Sequence, residues 1–158
     1  MKLLEIVVKE GILPTLTSIE RNHAIDEIMD ALVEAGAVKS ELREEFVKSI
    51  IKREKRGSTG FGHGVAVPHV KHPAIDKMTV AIGISQQGVE FNSLDQQPVY
   101  SIFLLLSPED KPEDHLDAME VIFGNLSQET FRRFLRQATT VEDVLTLLEE
   151  ADAGAITH

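Results

Sequence analysis

Val99-Tyr100-Ser101-Ile102-Phe103-Leu104-Leu105-Leu106 is an almost wholly apolar run. A strand covered on one face alternates apolar and polar residues, so a continuous run of this length suits a central strand buried on both faces. Toward the N-terminus, Val80, Ile82 and Ile84 alternate with smaller residues, and Val65-Ala66-Val67 precedes Pro68, which gives two more strands. About a dozen residues separate the strand at Val80 to Ile84 from the run at Val99, and Gly88, Asn92 and Asp95 among them form turns, so the link is antiparallel or meandering rather than a helical crossover. Pro14 limits Ile12 to Leu16 to an edge strand at most. The sheet is expected to be mixed.

Helical patterns lie on both sides of these strands. Ile25, Ile28, Met29, Leu32 and Val33 recur at i, i+3, i+4, i+7 and i+8, which predicts an amphipathic helix over residues 20 to 35 ending near Gly36. Ser40 is placed to cap a second helix, with Glu41, Glu44 and Glu45 early and Lys52, Arg53, Lys55 and Arg56 late, in the order that complements the helix dipole. Its apolar stripe is Leu42, Phe46 and Ile50, with Val47 and Ile51 alongside. Three more helices follow the sheet: one on Leu116, Met119, Phe123 and Leu126, one on Phe131, Phe134, Leu135 and Ala138, and one on Val144, Leu145 and Leu148 behind a Thr140-x-x-Asp143 capping box. The fold class expected is α/β, a mixed sheet flanked by helices on both faces in a single domain over residues 1 to 150, with residues 151 to 158 a flexible tail.

A chain of 158 residues suits one domain and can bury about 68 to 70 % of its unfolded surface. Its 42 % apolar content excludes disorder for most of its length. Sixteen Lys and Arg against 26 Asp and Glu leave a formal charge of −10, which repels a phosphate backbone and argues against nucleic-acid binding. The absence of cysteine excludes disulfides, thiol nucleophiles and zinc-thiolate sites, and fits the cytosol. The longest unbroken apolar run, Ile102 to Leu106, is far too short for a membrane span.

The densest group of unusual residues is Gly57-Ser58-Thr59-Gly60-Phe61-Gly62-His63-Gly64-Val65-Ala66-Val67-Pro68-His69, between a helix and a strand, where backbone N–H groups and hydroxyls can approach a ligand closely. It is not a Walker loop, since G-x-x-x-x-G-K-[ST] is absent. His69 follows an apolar strand and a proline, so its imidazole is expected to project from the end of the sheet. A neutral imidazole there is a competent nucleophile toward phosphorus.

Arg53-Glu54-x-x-x-Ser58-Thr59 followed by Phe61-Gly62-x-x-Val65-Ala66-Val67-Pro68-His69 resembles the phosphorylation-site signature of enzyme IIA of the bacterial phosphoenolpyruvate:sugar phosphotransferase system, fructose/mannitol type, a group that includes the nitrogen-regulatory IIA proteins. The resemblance extends over roughly residues 5 to 150, including Gly88-x-x-Phe91, Pro98-Val99 and His115-Leu116. It implies a cytosolic α/β phosphocarrier without cofactor or metal, one that takes a phosphoryl group from phospho-HPr or an HPr-like carrier. The phosphate then passes to a cysteine of a IIB domain, or serves as a signal to a regulatory target protein. On this resemblance His69 matches the phosphorylated histidine, His115 the second active-site histidine and Arg53 the motif arginine. Pro112 suits a helix first turn, which sets His115 near a helix N-terminus, where a phosphate is favoured. In the mechanism expected, Nε2 of His69 attacks phosphorus in line, while Arg53, His115 and the Ser58 and Thr59 hydroxyls stabilise the equatorial oxygens.

Two positions depart from the family's pattern. Val70 is larger than the Gly, Ala or Cys that usually follows the phosphorylated histidine and is expected to narrow the donor's approach. His63 stands where relatives more often carry Asn or Glu. A zinc site at His63-x5-His69-x2-His72 is a competing reading, but it lacks helical H-x-x-x-H spacing, and Pro68 and Pro73 work against a shared tetrahedron.

Overall fold

A computed structural model describes residues 1–156. In chain order its elements are α1 (Leu3–Ile6), β1 (Val7–Leu13), α2 (Arg21–Glu34), α3 (Ser40–Arg56), β2 (Gly60–Gly62), β3 (Val65–Ala66), β4 (His69–His72), β5 (Thr79–Val89), β6 (Val99–Pro108), α4 (Pro112–Leu126), α5 (Glu129–Gln137) and α6 (Val141–Asp152). The strands form one mixed sheet in the order β1-β5-β6-β3-β2, with β4 also on β6. The β5–β6 and β2–β3 pairs are antiparallel, whereas β1–β5, β3–β6 and β4–β6 are parallel.

The expectation of a doubly buried central strand holds for β6. Ile102, Leu104 and Leu106 belong to the core beneath α2 and α3, while Phe103 and Leu105 belong to the core beneath α1, α4, α5 and α6. Strand β5 splits the same way, with Ala81 on the first side and Val80, Ile82 and Ile84 on the second, because successive side chains leave a strand on opposite faces. The sheet therefore separates two hydrophobic cores.

Strand β1 ends at Leu13, one residue before Pro14, and lies at the edge of the sheet. Helix α2 ends within two residues of Gly36, whose φ of 78° is the left-handed conformation typical of a helix terminus. Ser40 is a correction: Lys39 occupies the cap position and Ser40 is already helical, with no side-chain capping bond. What fixes α3 instead is Arg43, whose guanidinium donates to Asp30 at 2.7 Å and Asp26 at 3.0 Å on α2. Thr140 does cap α6, its Oγ1 accepting from the Asp143 N–H at 3.0 Å.

Helix α6 continues through Asp152, and the Asp152 carboxylate accepts the N–H groups of Leu3 and Leu4 at 2.7 and 2.9 Å. Ile156 packs against the core on the α6 side. Of the expected tail, Thr157 and His158 lie outside the described residues. None of the described helices is long and apolar enough to cross a membrane.

Candidate functional site

Pro68 has no N–H to give the sheet, yet the ladder does not break there. Val65 and Ala66 pair with Ser101 and Ile102, His69 and Val70 pair with Leu105 and Leu106, and the register is the same before and after the proline. The Pro68 carbonyl still accepts the Leu105 N–H at 2.9 Å. His69 is therefore the first residue of β4, beside β6, rather than a side chain projecting beyond the sheet's end. The parallel ladder resumes immediately after the proline and holds it.

One ring nitrogen of His69 is committed. Nδ1 lies 2.9 Å from the Val67 carbonyl, and because a carbonyl only accepts, Nδ1 carries the proton. In the neutral ring Nε2 then has a free lone pair. Burial holds this imidazole below its ordinary pKa; Arg53 and Lys71 push the same way, while the Val67 bond and Glu54 oppose them.

His115 meets His69 from the other side. It lies in the first turns of α4, whose N-terminus is set by Pro112, and it is 6 % exposed. The two ring centroids are 5.7 Å apart and tilted by 54°. Burial first, then Lys71 and His69, lower the His115 pKa to about 4, so it is neutral near pH 7. Its Nδ1 is 2.8 Å from the fully buried Ser107 hydroxyl, which also lies 3.0 Å from Met78 Sδ.

Arg53, in the last turn of α3, donates to the Gly57 carbonyl at 2.6 Å. Together with Ser49, Arg56, His69, Val70 and Lys71 it lines a cavity of about 340 Å³. Arg53 and His69 are thus brought to one hollow, with two further cations beside them. Val70 is 7 % exposed and packs into the core beneath α3 while also forming part of the wall of the hollow.

The two hydroxyl residues part company. Thr59 donates its only hydroxyl proton to Glu54 at 2.6 Å, and its N–H donates to the same carboxylate at 3.1 Å. Its O–H is thus directed at Glu54 rather than at a phosphoryl group. Ser58 Oγ accepts the Gly60 N–H at 2.9 Å, which leaves its own proton free to donate. Neither residue lines the Arg53–His69 hollow.

Sequence reasoning included Glu54 in the motif without giving it a role, and passed over Lys71 and Ser107. Glu54 is 3 % exposed, and a carboxylate inside the cationic end of α3 reads in sequence as one more surface charge. Lys71 follows from strand alternation, since residues two apart share a face, once His69 is placed on a strand. Ser107 lies one residue beyond the apolar run that defines β6. His72, offered earlier as a zinc ligand, instead contacts the Glu45 carboxylate and packs edge-on against Phe46 at 5.0 Å. Among the described residues no three His, Asp or Glu side chains converge as a metal site requires.

The family model described as "Phosphoenolpyruvate-dependent sugar phosphotransferase system, EIIA 2" matches residues 5–151. The chain is 31 % identical over 152 residues to the PTS system fructose-specific EIIABC component of Bacillus subtilis, covering 96 % of this chain but only 24 % of that protein. It is 30 % identical over 155 residues to a nitrogen regulatory protein of Bradyrhizobium diazoefficiens, covering 98 % of this chain and 99 % of that protein. The crystal structure of nitrogen regulatory protein IIA-Ntr from Neisseria meningitidis superposes with a TM-score of 0.82 at 29 % identity, over 91 % of this chain and 97 % of that one.

Proposed function

The chain belongs to the EIIA 2 family of the phosphoenolpyruvate-dependent sugar phosphotransferase system, and from that membership we propose that it is a cytosolic phosphocarrier that accepts a phosphoryl group on Nε2 of His69 from phospho-HPr or an HPr-like carrier and passes it to a IIB cysteine. The observation that carries this reading is the Val67 bond to Nδ1, which leaves Nε2 as the nucleophile at the rim of a cationic hollow.

In the step proposed, the Nε2 lone pair forms the new N–P bond while the P–N bond of the donor's phosphohistidine breaks, and the leaving electron pair returns to the donor imidazole. The His69 ring gains positive charge as it attacks. The Val67 carbonyl on Nδ1–H and the nearby Glu54 carboxylate favour that charge. Arg53 faces the phosphoryl oxygens, and Lys71 adds positive potential at the same place. His115 adds a neutral N–H donor if the Ser107 proton goes to Nδ1, because the hydrogen of the ring then sits on Nε2. An imidazole nitrogen is a much stronger acceptor than the Met78 thioether, which favours that arrangement. Ser58 has a hydroxyl proton left to donate but lies outside the Arg53–His69 hollow, and Thr59 holds Glu54.

A second reading is regulatory: phosphorylated and free forms bind different target proteins, and no sugar is transported. The end-to-end match to the Bradyrhizobium nitrogen regulatory protein favours it. Incubation with labelled phosphoenolpyruvate, enzyme I and HPr, followed by peptide mapping, tests the carrier reading, with label expected on His69. A chase with a IIB domain separates the branches: rapid discharge supports transport, and retention of the label supports regulation.

A further inference from the structure

His63 is absorbed by neither reading. It sits with φ 60° between Gly62 at φ 119° and Gly64 at φ 74°, in the tight turn joining β2 to β3. Two central residues with positive φ are the pattern of a type I′ hairpin turn, whose first position favours Asn, Asp or Gly. A histidine there is less favoured by the turn than an asparagine would be. Its imidazole lines a cleft of about 460 Å³ together with Ser85, Gln86, Arg132, Arg133 and Arg136, with Glu129 and Gln137 completing the wall.

The arginines of this cleft are unusual for a chain of formal charge −10. Among the described residues, none of the three lies within 4.0 Å of a carboxylate oxygen, whereas Arg43 makes three such contacts. Two are nonetheless held in place. Arg132 donates to the Leu126 carbonyl at 2.8 Å. Arg136 stacks its guanidinium 3.7 Å above the Tyr100 ring, and that ring is itself wedged: a Cβ added at Gly64 or Gly88 would come within 3.1 Å of it. Stacking uses the flat face of a guanidinium and leaves its in-plane N–H donors free for a bidentate acceptor. Three guanidinium groups against one carboxylate, with hydroxyl and amide donors around them, make a pre-set receptor for a multiply charged anion.

We propose that this cleft binds a small organic phosphate carrying two or more anionic groups, at a site separate from the phosphorylation site. Its volume is within the range of ordinary small-ligand pockets. The turn that carries His63 leads through Val65 and Ala66 to Val67, whose carbonyl holds His69, so an occupant of the cleft rests against the hairpin that orients the nucleophile.

Binding is testable without phosphoryl transfer, so its failure is distinct from failure of the carrier reading. The full chain is titrated with inorganic pyrophosphate, a nucleoside triphosphate and a short acidic peptide while arginine Nε–H and backbone amide resonances are followed. The expected result is saturable shifts at Arg132, Arg133, Arg136 and His63 with pyrophosphate or the nucleotide. His63→Asn, which suits the turn and should fold at least as well as wild type, is expected to weaken binding about three- to tenfold, and Arg133→Gln about tenfold or more. The proposal is overturned by no saturable shift up to about 10 mM ligand, by shifts confined to Arg53, His69 and Lys71, by affinity unchanged in both variants, or by tighter binding of the acidic peptide, which would make the cleft a protein-docking face.

Discussion

Ser107 Oγ sits 2.8 Å from Nδ1 of His115, both side chains buried, with Met78 Sδ 3.0 Å from the same oxygen. A hydroxyl has one proton, so it donates either to the imidazole or to the thioether, and the choice sets which nitrogen of His115 carries hydrogen. Donation to Nδ1 makes Nε2–H a donor; donation to sulfur makes Nε2 a bare lone pair that repels a phosphoryl oxygen.

Ser107→Ala is therefore expected to leave His69 able to accept phosphate but to slow transfer about tenfold, the effect of one weakened hydrogen bond to a charged group. Nitrogen NMR of His115 reads the tautomer directly. Wild-type protein should show hydrogen on Nε2, the alanine variant a mixture, and Ser107→Thr a return toward wild type. Identical ring spectra in all three would detach Ser107 from catalysis.

His69→Ala should abolish the acid-labile, base-stable phosphoryl group. His115→Ala should still be labelled on His69, with exchange slowed about ten- to a hundredfold. Rapid-quench transfer from phospho-HPr and back discriminates: wild-type rates in both directions would leave His115 a bystander, and loss of all label would make it the carrier.

Arg53→Ala removes a bond to the Gly57 carbonyl at the end of α3, which should cost no more than about 1 kcal/mol of stability. Loss of a charge that meets the transferring group costs more, about 3 kcal/mol or a hundredfold in rate. Unchanged kinetics with a lowered melting temperature would return Arg53 to a purely structural role.

The two depressed imidazoles predict a stability profile. In the folded chain His115 protonates only near pH 4, against 6.5 for an ordinary histidine, and His69 is also shifted downward. As pH falls from 6.5 toward about 4 the unfolded chain takes up a proton at His115 that the folded chain refuses, so stability falls by up to about 1.4 kcal/mol per pH unit from that group, and His69 acts in the same direction. Urea unfolding of His115→Gln should show a shallower loss over that window. Parallel curves for variant and wild type would contradict the assignment.

Thr59→Val removes the hydroxyl that donates to the buried Glu54 carboxylate. The expected cost is about 1 to 3 kcal/mol, with Thr59→Ser restoring most of it. Denaturant midpoints test this, and a valine variant as stable as wild type would show that Glu54 is satisfied by other means.

The layering was legible in sequence because burial on both faces leaves a continuous apolar signature, as in Ile102 to Leu106, and because α2 and α6 carry strong periodicity and punctuation. Contacts between distant segments were not. The bonds from Asp152 to α1, and from Arg43 to α2, join residues whose sequence neighbours say nothing of their partners. The same holds at the site. His69, His115 and Arg53 stand out through motif and spacing, whereas Glu54 and Ser107 gain their roles only from being buried beside a particular partner. A Thr59 hydroxyl in a glycine-rich loop has the chemistry to donate a hydrogen bond to a phosphoryl oxygen; only the geometry shows its proton already engaged.

If His69 is the carrier proposed above, the unbroken register across Pro68 limits how a phosphoryl group can pass through it. A nucleophile carried on a paired strand, with one nitrogen tied to the chain two residues behind it, has no arm on which to swing between stations. On that proposal donor and acceptor each come to the same nitrogen in turn, so they present similar faces around that point and are not seated together. The proposal then predicts ping-pong kinetics in which each partner inhibits competitively against the other, with the carrier itself as the fixed post.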